Sequence, residues 1–243
     1  MDSSPFWKGI VANMGCTHLL KSRWPAWIVA VWMAHAWPCF GQQPAPAAGA
    51  AAVSMQGGQV DLQRSRSYAR VGASGFGHEH GVEGRLNSGS IRLGVEQQAG
   101  QLVFDMKSFA CDTPAARQFF GLSGTVGEST QQQTTANMTG PEVLNVSRFP
   151  TATFVIRSSR AFPKKQPTDP QWYQLDGDFT LHGVTRPLKI NAIAEATQGS
   201  VRLRGQFSVL QTQYGITPFS RAFGTVGVAD EIKIQSELWL GPQ

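Results

Sequence analysis

The stretch FGHEHGVEGRL, residues 76–86, sets His78 and His80 one residue apart at the start of what reads as a β-strand. Side chains two positions apart on a strand leave by the same face, so both imidazoles point one way. With His182 they would supply the three neutral nitrogens that a catalytic zinc site uses, and a metal-dependent enzyme built on the pair is one reading. The other readings are hydrogen-bonded structure at a barrel mouth and contact with the polar end of a ligand. Parity separates His182 from the pair. It shares a side with Asp176, Asp178 and Thr180, opposite Leu175, Phe179 and Leu181, whereas His78 and His80 share theirs with Val82 and Leu86. His182-Gly183 is therefore expected to stitch a turn between strands, and no metal ligand set or catalytic residue is assigned. Asp176 and Asp178 have the spacing of a solvated strand face. Cys111 reads as a buried or neutral thiol, and Ser123-Gly124 lacks the strand–elbow–helix setting of a hydrolase nucleophile.

These residues must be positioned by strands, because from residue 60 onward the dominant signal is alternation with period two. Ile91, Leu93 and Val95 share one face, as do Leu102, Phe104 and Met106 against Asp105 and Lys107. Val201, Leu203, Phe207 and Val209 oppose Arg202, Arg204, Gln206 and Ser208; Ile232, Ile234, Leu238 and Leu240 oppose Glu231, Lys233, Gln235 and Glu237. Further segments near 60–71, 76–86, 152–160, 172–182 and 186–197 bring the number to eight or nine, joined by short turns such as Asn87-Ser88-Gly89. So many one-sided strands predict an all-β, antiparallel up-and-down barrel of about eight strands, since closure removes exposed edges. A sandwich is the alternative architecture.

Only 110–150 breaks the pattern, giving a short helical insert around 113–145. In TPAARQFFG (113–121), Thr113 can cap, Pro114 suits the first helical position and Gly121 the exit. A second helix is expected from Pro141 to just before Pro150, with the polar run 123–140 as flexible chain between them. The insert has the position of a lid over one barrel end, or of a loop with no role.

Ahead of the strands, residues 24–41 form an apolar run behind Lys21 and Arg23, the order of a secretory signal peptide; cleavage after Ala36 or Gly41 is expected, with an uncleaved anchor as the alternative. Residues 42–58 read as a Pro/Ala/Gly-rich linker and 59–243 as the barrel domain. The expected location is therefore the periplasm or the exterior. Removing 1–41 takes away Cys16 and Cys39 and leaves Cys111 with no intrachain partner.

The 243-residue chain carries only 15% charged residues and a formal charge of +5, with the basic residues scattered rather than striped among aromatics, which argues against nucleic acid as a partner. At 41% apolar residues it can bury a sizeable core.

SRFPTATFVIRSS (147–159), YQLDGDFTLHGVTRPLKI (173–190), FSVLQTQYGI (207–216) and VADEIKIQSEL (228–238) together resemble the YceI-like family of polyisoprenoid-binding proteins, in order and spacing, across roughly 60–240. The resemblance implies a lipocalin-like barrel, secreted to the periplasm, whose apolar cavity holds a polyprenyl chain or isoprenoid quinone as carrier, reservoir or stress-related sink, with no catalytic residues and no cofactor. It leaves a membrane or membrane redox partner and a dimeric state open. The segment Gln211-Thr212-Gln213-Tyr214-Gly215-Ile216, the opening Gln59-Val60-Asp61-Leu62 and the GHEH stretch depart from the family's usual pattern, leaving the fold reading intact and the head group of the ligand open. The candidate ligand-facing residues are then the inward ones named above (Ile91, Leu93, Val95, Leu102, Phe104, Met106, Leu175, Phe179, Leu181, Val201, Leu203, Phe207, Val209, Ile232, Ile234 and Leu238), with Phe154, Ile156, Leu188 and Ile190 from the middle strands and His78 and His80 at the mouth. A third reading is a tethered barrel that works through its outer surface.

Overall fold

The computed structural model describes residues 56–241 apart from Gln198, Ala222 and Gly224. The expected signal peptide and most of the linker lie outside the described residues. Ten strands are present among them: β1 (Gly57–Gln59), β2 (Arg66–Gly75), β3 (His80–Arg92), β4 (Gly100–Cys111), β5 (Thr151–Ala161), β6 (Gln171–Leu181), β7 (Val184–Thr197), β8 (Ser200–Leu210), β9 (Ser220–Arg221) and β10 (Val226–Leu240). All pairings are antiparallel. The path β3-β2-β10-β8-β7-β6-β5-β4 returns to β3 through a β3–β4 ladder, which closes an eight-stranded barrel; β1 and β9 are short additions to β3 and β10.

The core follows from the alternation. Leu102, Phe104 and Met106 on β4, Leu175, Phe179 and Leu181 on β6, and Val201, Leu203 and Val209 on β8 are all buried, and every apolar residue expected to face inward belongs to one cluster. Outward faces carry ion pairs instead. Arg157 bridges Asp176 and Asp178, and Lys189 reaches Asp176 at 3.3 Å, so the carboxylate spacing is that of a wet strand face.

Three sequence expectations are corrected. Asn87-Ser88-Gly89 is not a turn but lies inside β3, where the ladder to β4 shifts register between Leu86 and Ser88. A bulge uses the same small, polar residues as a turn, and this one re-aims the strand so that Leu86 and Ile91 both face inward despite opposite parity. The helix expected from Pro141 is a series of turns. The second helix instead spans Glu128–Thr139 (α2), within the polar run read as flexible. It has no buried residue and hence no apolar stripe to read; it is held from β4, whose Cys111 N–H donates to Thr135 Oγ1 at 2.9 Å.

The first helix, α1 (Pro114–Phe120), forms as its ends dictate: Thr113 Oγ1 accepts from the Ala116 N–H at 3.1 Å and Gly121 exits in the left-handed region. It packs on the outside of β2 and β3, where Tyr68 stacks on Phe119 with ring centroids 4.1 Å apart. His182 and Gly183 close the β6–β7 hairpin with φ of 51° and 76°, the paired positive angles of a two-residue I′ turn.

Candidate functional site: an apolar cavity with a polar corner

The barrel is filled at one end and open at the other. At the end bearing the β3–β4, β5–β6 and β7–β8 connections, Leu102, Phe154, Leu175, Ile190, Leu203 and Leu238 pack around a residual void of only about 30 Å³. At the end bearing the 76–79 connection, the 112–150 insert and the 211–225 segment lies a cavity of about 270 Å³. It exists because the wall there is built from small side chains, Ser67 and Ala69 on β2 and Ala152 on β5, that do not reach across the barrel. Phe104, Phe179 and Phe207 border both spaces and form the floor between them.

Of the residues expected to face a ligand, Phe104, Met106, Phe179, Leu181, Phe207, Val209, Ile232, Ile234, His78 and His80 line the large cavity. Leu102, Phe154, Leu175, Ile190, Leu203 and Leu238 line the small void with Phe104, Phe179 and Phe207. Ile91, Leu93, Val95, Ile156, Leu188 and Val201 are core residues that border neither space.

The lining also contains groups that alternation missed. Phe109 and Cys111 face inward with the opposite parity to Met106, because the β3–β4 register shifts between Glu83 and Arg85. Ser108 fixes that irregularity, its hydroxyl donating to the Asp105 carbonyl at 2.6 Å and accepting from the Arg85 N–H at 2.9 Å. Phe109 then covers Gly84, where any side chain would collide with the ring. From the insert, Thr134, Asn137 and Met138 on α2 and Val143 and Leu144 beyond it cover part of the mouth, and Phe219 and Val226 complete the rim. Apart from Val226, which opens β10, these are loop and helix positions, and none of them carries a period that sequence inspection could detect.

The polar corner is built around Asp112, which is 1% exposed. Its Oδ2 lies 2.6 Å from His80 Nδ1, and its Oδ1 accepts from Arg117 Nη1 at 3.0 Å and from the Gly81 N–H at 3.3 Å. Arg117 is itself pinned, donating through Nε to the Gly124 carbonyl at 3.2 Å and through Nη2 to that of Ser123. A carboxylate this deeply buried is tolerable because a guanidinium neutralises it and donors occupy both oxygens. Since an ionised carboxylate only accepts, His80 carries its proton on Nδ1. The His78 ring lies 4.5 Å from that of His80, centroid to centroid. Asp112 was missed in the sequence, where an acidic residue just ahead of a helix cap is commonplace.

His182 does not join the pair. Its Nδ1 is 3.3 Å from the Tyr214 carbonyl and its ring packs on Phe149 at 4.4 Å. Among the described residues, no three His, Cys, Asp or Glu side chains converge as metal ligands would. Burial pushes the Cys111 thiol up to about 12, chiefly by desolvation and secondarily through the Asp112 charge.

A closed antiparallel barrel with an apolar interior open at one end and one charge-paired polar corner is suited to a hydrophobic small molecule. The sequence profile of the YceI-like domain matches residues 59–240, and the chain belongs to that family. Among solved structures it is similar to BcnA of Burkholderia cenocepacia (15% identity, 74% of this chain and 98% of that one, TM-score 0.46). It is also similar to a YceI protein of Campylobacter jejuni (9% identity, 59% and 72% of the two chains, TM-score 0.39). No match is found among curated proteins.

Proposed function

We propose that this barrel binds an isoprenoid lipid, a polyprenyl chain or an isoprenoid quinone, by its apolar chain, and serves as a carrier, reservoir or sink in the periplasm or outside the cell. The cavity carries the reading. Its wall offers branched, aromatic and thioether surfaces, which gain by dispersion and desolvation and suit a methyl-branched chain. Each methylene moved from water into such a space contributes about 0.8 kcal/mol, before the ordering of the chain is subtracted. The volume of about 270 Å³ lies just below the roughly 300–1,000 Å³ of small-molecule sites, so the portion of chain enclosed is short. Beside the mouth Phe76 and Phe223 stand almost wholly in solvent, 89% and 109% exposed, and such rings favour a membrane as the place where the ligand is taken up.

The test is organic extraction of protein purified from its own host, followed by mass spectrometry. An isoprenoid lipid in near-stoichiometric amount is expected. Recovering only straight-chain lipids, or failing to load the extracted protein with any isoprenoid, would refute the proposal.

A further inference from the structure

We propose that His80 is the hydrogen-bond acceptor for the ligand's head group, so that the site selects a hydroxyl-bearing isoprenoid, an alcohol or a hydroquinone, over an ether, a quinone or a diphosphate. This rests on the reading that the cavity holds an isoprenoid chain. His80 lines the cavity, and Asp112 occupies its Nδ1 at 2.6 Å. Asp112 is paired with Arg117 through Oδ1 and with His80 Nδ1 through Oδ2, so the nitrogen of the ring left for a ligand is Nε2, which in a neutral imidazole protonated on Nδ1 offers a lone pair. Among the described residues nothing bonds to that nitrogen.

His78 lines the same cavity but has no carboxylate among the described residues to fix its tautomer, Asn137 Oδ1 accepts from Gln133 Nε2 at 3.1 Å, and the other polar groups are committed within the protein. Ser67 Oγ is paired with Ser236 Oγ at 2.9 Å, Gln211 Nε2 donates to the Ala229 carbonyl, and Thr134 Oγ1 donates to the Thr130 carbonyl. A head group brought to this end by a chain lying against the floor therefore meets an acceptor. An O–H satisfies it, whereas an ether or quinone oxygen faces it lone pair to lone pair. A diphosphate finds no uncommitted cation here, since Arg117 is already spent on Asp112.

Asp112 acts as a positioning residue by fixing the tautomer. In Asp112→Asn the Arg117 and Gly81 donors hold the amide oxygen in the Oδ1 place, which puts the amide nitrogen against His80 Nδ1. The imidazole proton then moves to Nε2, and the acceptor becomes a donor.

The experiment measures dissociation constants of the full chain for farnesol, farnesyl methyl ether, farnesyl diphosphate, and a geranylated hydroquinone with its quinone. In the unaltered protein the alcohol and the hydroquinone are expected to bind about five- to tenfold more tightly than their acceptor-only counterparts, the worth of one hydrogen bond. Relative affinity of the two hydroxyl compounds tells alcohol from hydroquinone. His80→Phe should bring each pair within twofold while the ether still binds, which shows that the variant is folded; Asp112→Asn should favour the quinone over the hydroquinone. Equal affinities within each pair in the unaltered protein, tightest binding of the diphosphate, or discrimination surviving in His80→Phe overturns the inference while leaving the chain-binding reading intact. Absence of binding by every isoprenoid removes that reading, and the inference falls with it.

Discussion

Phe179 meets Phe207 edge to face, with ring centroids 5.7 Å apart, and this pair with Phe104 separates the ligand-sized cavity from the packed end of the barrel. The depth available to a chain is set by that floor. Phe179→Ala should join the cavity to the void beneath it and shift preference toward longer isoprenoid alcohols in a displacement series. It should also cost about 3 kcal/mol of stability in urea denaturation. An unchanged length preference in a folded variant would show that the chain does not reach the floor.

Asp112 is expected to matter to stability as much as to recognition. Asp112→Ala leaves Arg117, 13% exposed at its side chain, without its carboxylate, and a broken buried pair costs about 3–5 kcal/mol. Asp112→Asn keeps the shape and suits the positive φ of 53° at this position, so its cost should be clearly smaller. Chemical denaturation of the two variants checks the order.

Gly177 lies in the GDFTLHG segment, and a Cβ there would sit 2.2 Å from the Val155 carbonyl oxygen and 2.8 Å from the Phe154 ring. Gly177→Ala must therefore push β5 away from β6 and is expected to lower stability by about 2 kcal/mol or more. A loss within 0.5 kcal/mol would mean that the two strands separate at little cost.

Cys111 gives a pH signature. Its thiol, held near 12 against an ordinary value of 9.0, stays protonated in the folded chain while the unfolded chain ionises. A raised folded value means that the contribution is complete below about pH 9, and is lost as pH climbs from there toward 12. Folded protein should resist thiol reagents at pH 8 and react on unfolding, and Cys111→Ala should flatten the alkaline decline in stability. Rapid labelling of the native state at pH 8 would contradict the placement of this thiol.

Much of the barrel could be read from residue order because each strand has one dry face: Leu102, Phe104 and Met106, or Val201, Leu203 and Val209, give both the strand and its inward side. Irregularities defeated the same reading. Asn87-Ser88-Gly89 is chemically a turn and structurally a bulge, and the shift near Ser108 moved Phe109 and Cys111 indoors against the parity of Met106. Alternation also says which side chains face in and not whether they meet. Ile91 and Val201 ended in solid core, whereas Phe104 and Ile234 border open space, the difference lying in small partners such as Ala69 and Ala152 across the barrel. The His78–His80 pair was visible, but the carboxylate that orients His80 was not, because the approach of Asp112 depends on β3 and β4 lying side by side.

Every one of the eight staves is flanked by two others, since β3 and β4 close the last gap. The order is closed but not sealed along every stave, since β7 and β8 pair only from Asn191–Gln206 to Thr197–Ser200 and leave Val184–Ile190 outside that ladder. In the function proposed above a guest enters along the axis, and a partner that delivers it meets the rim where Phe76, Phe219 and α2 stand.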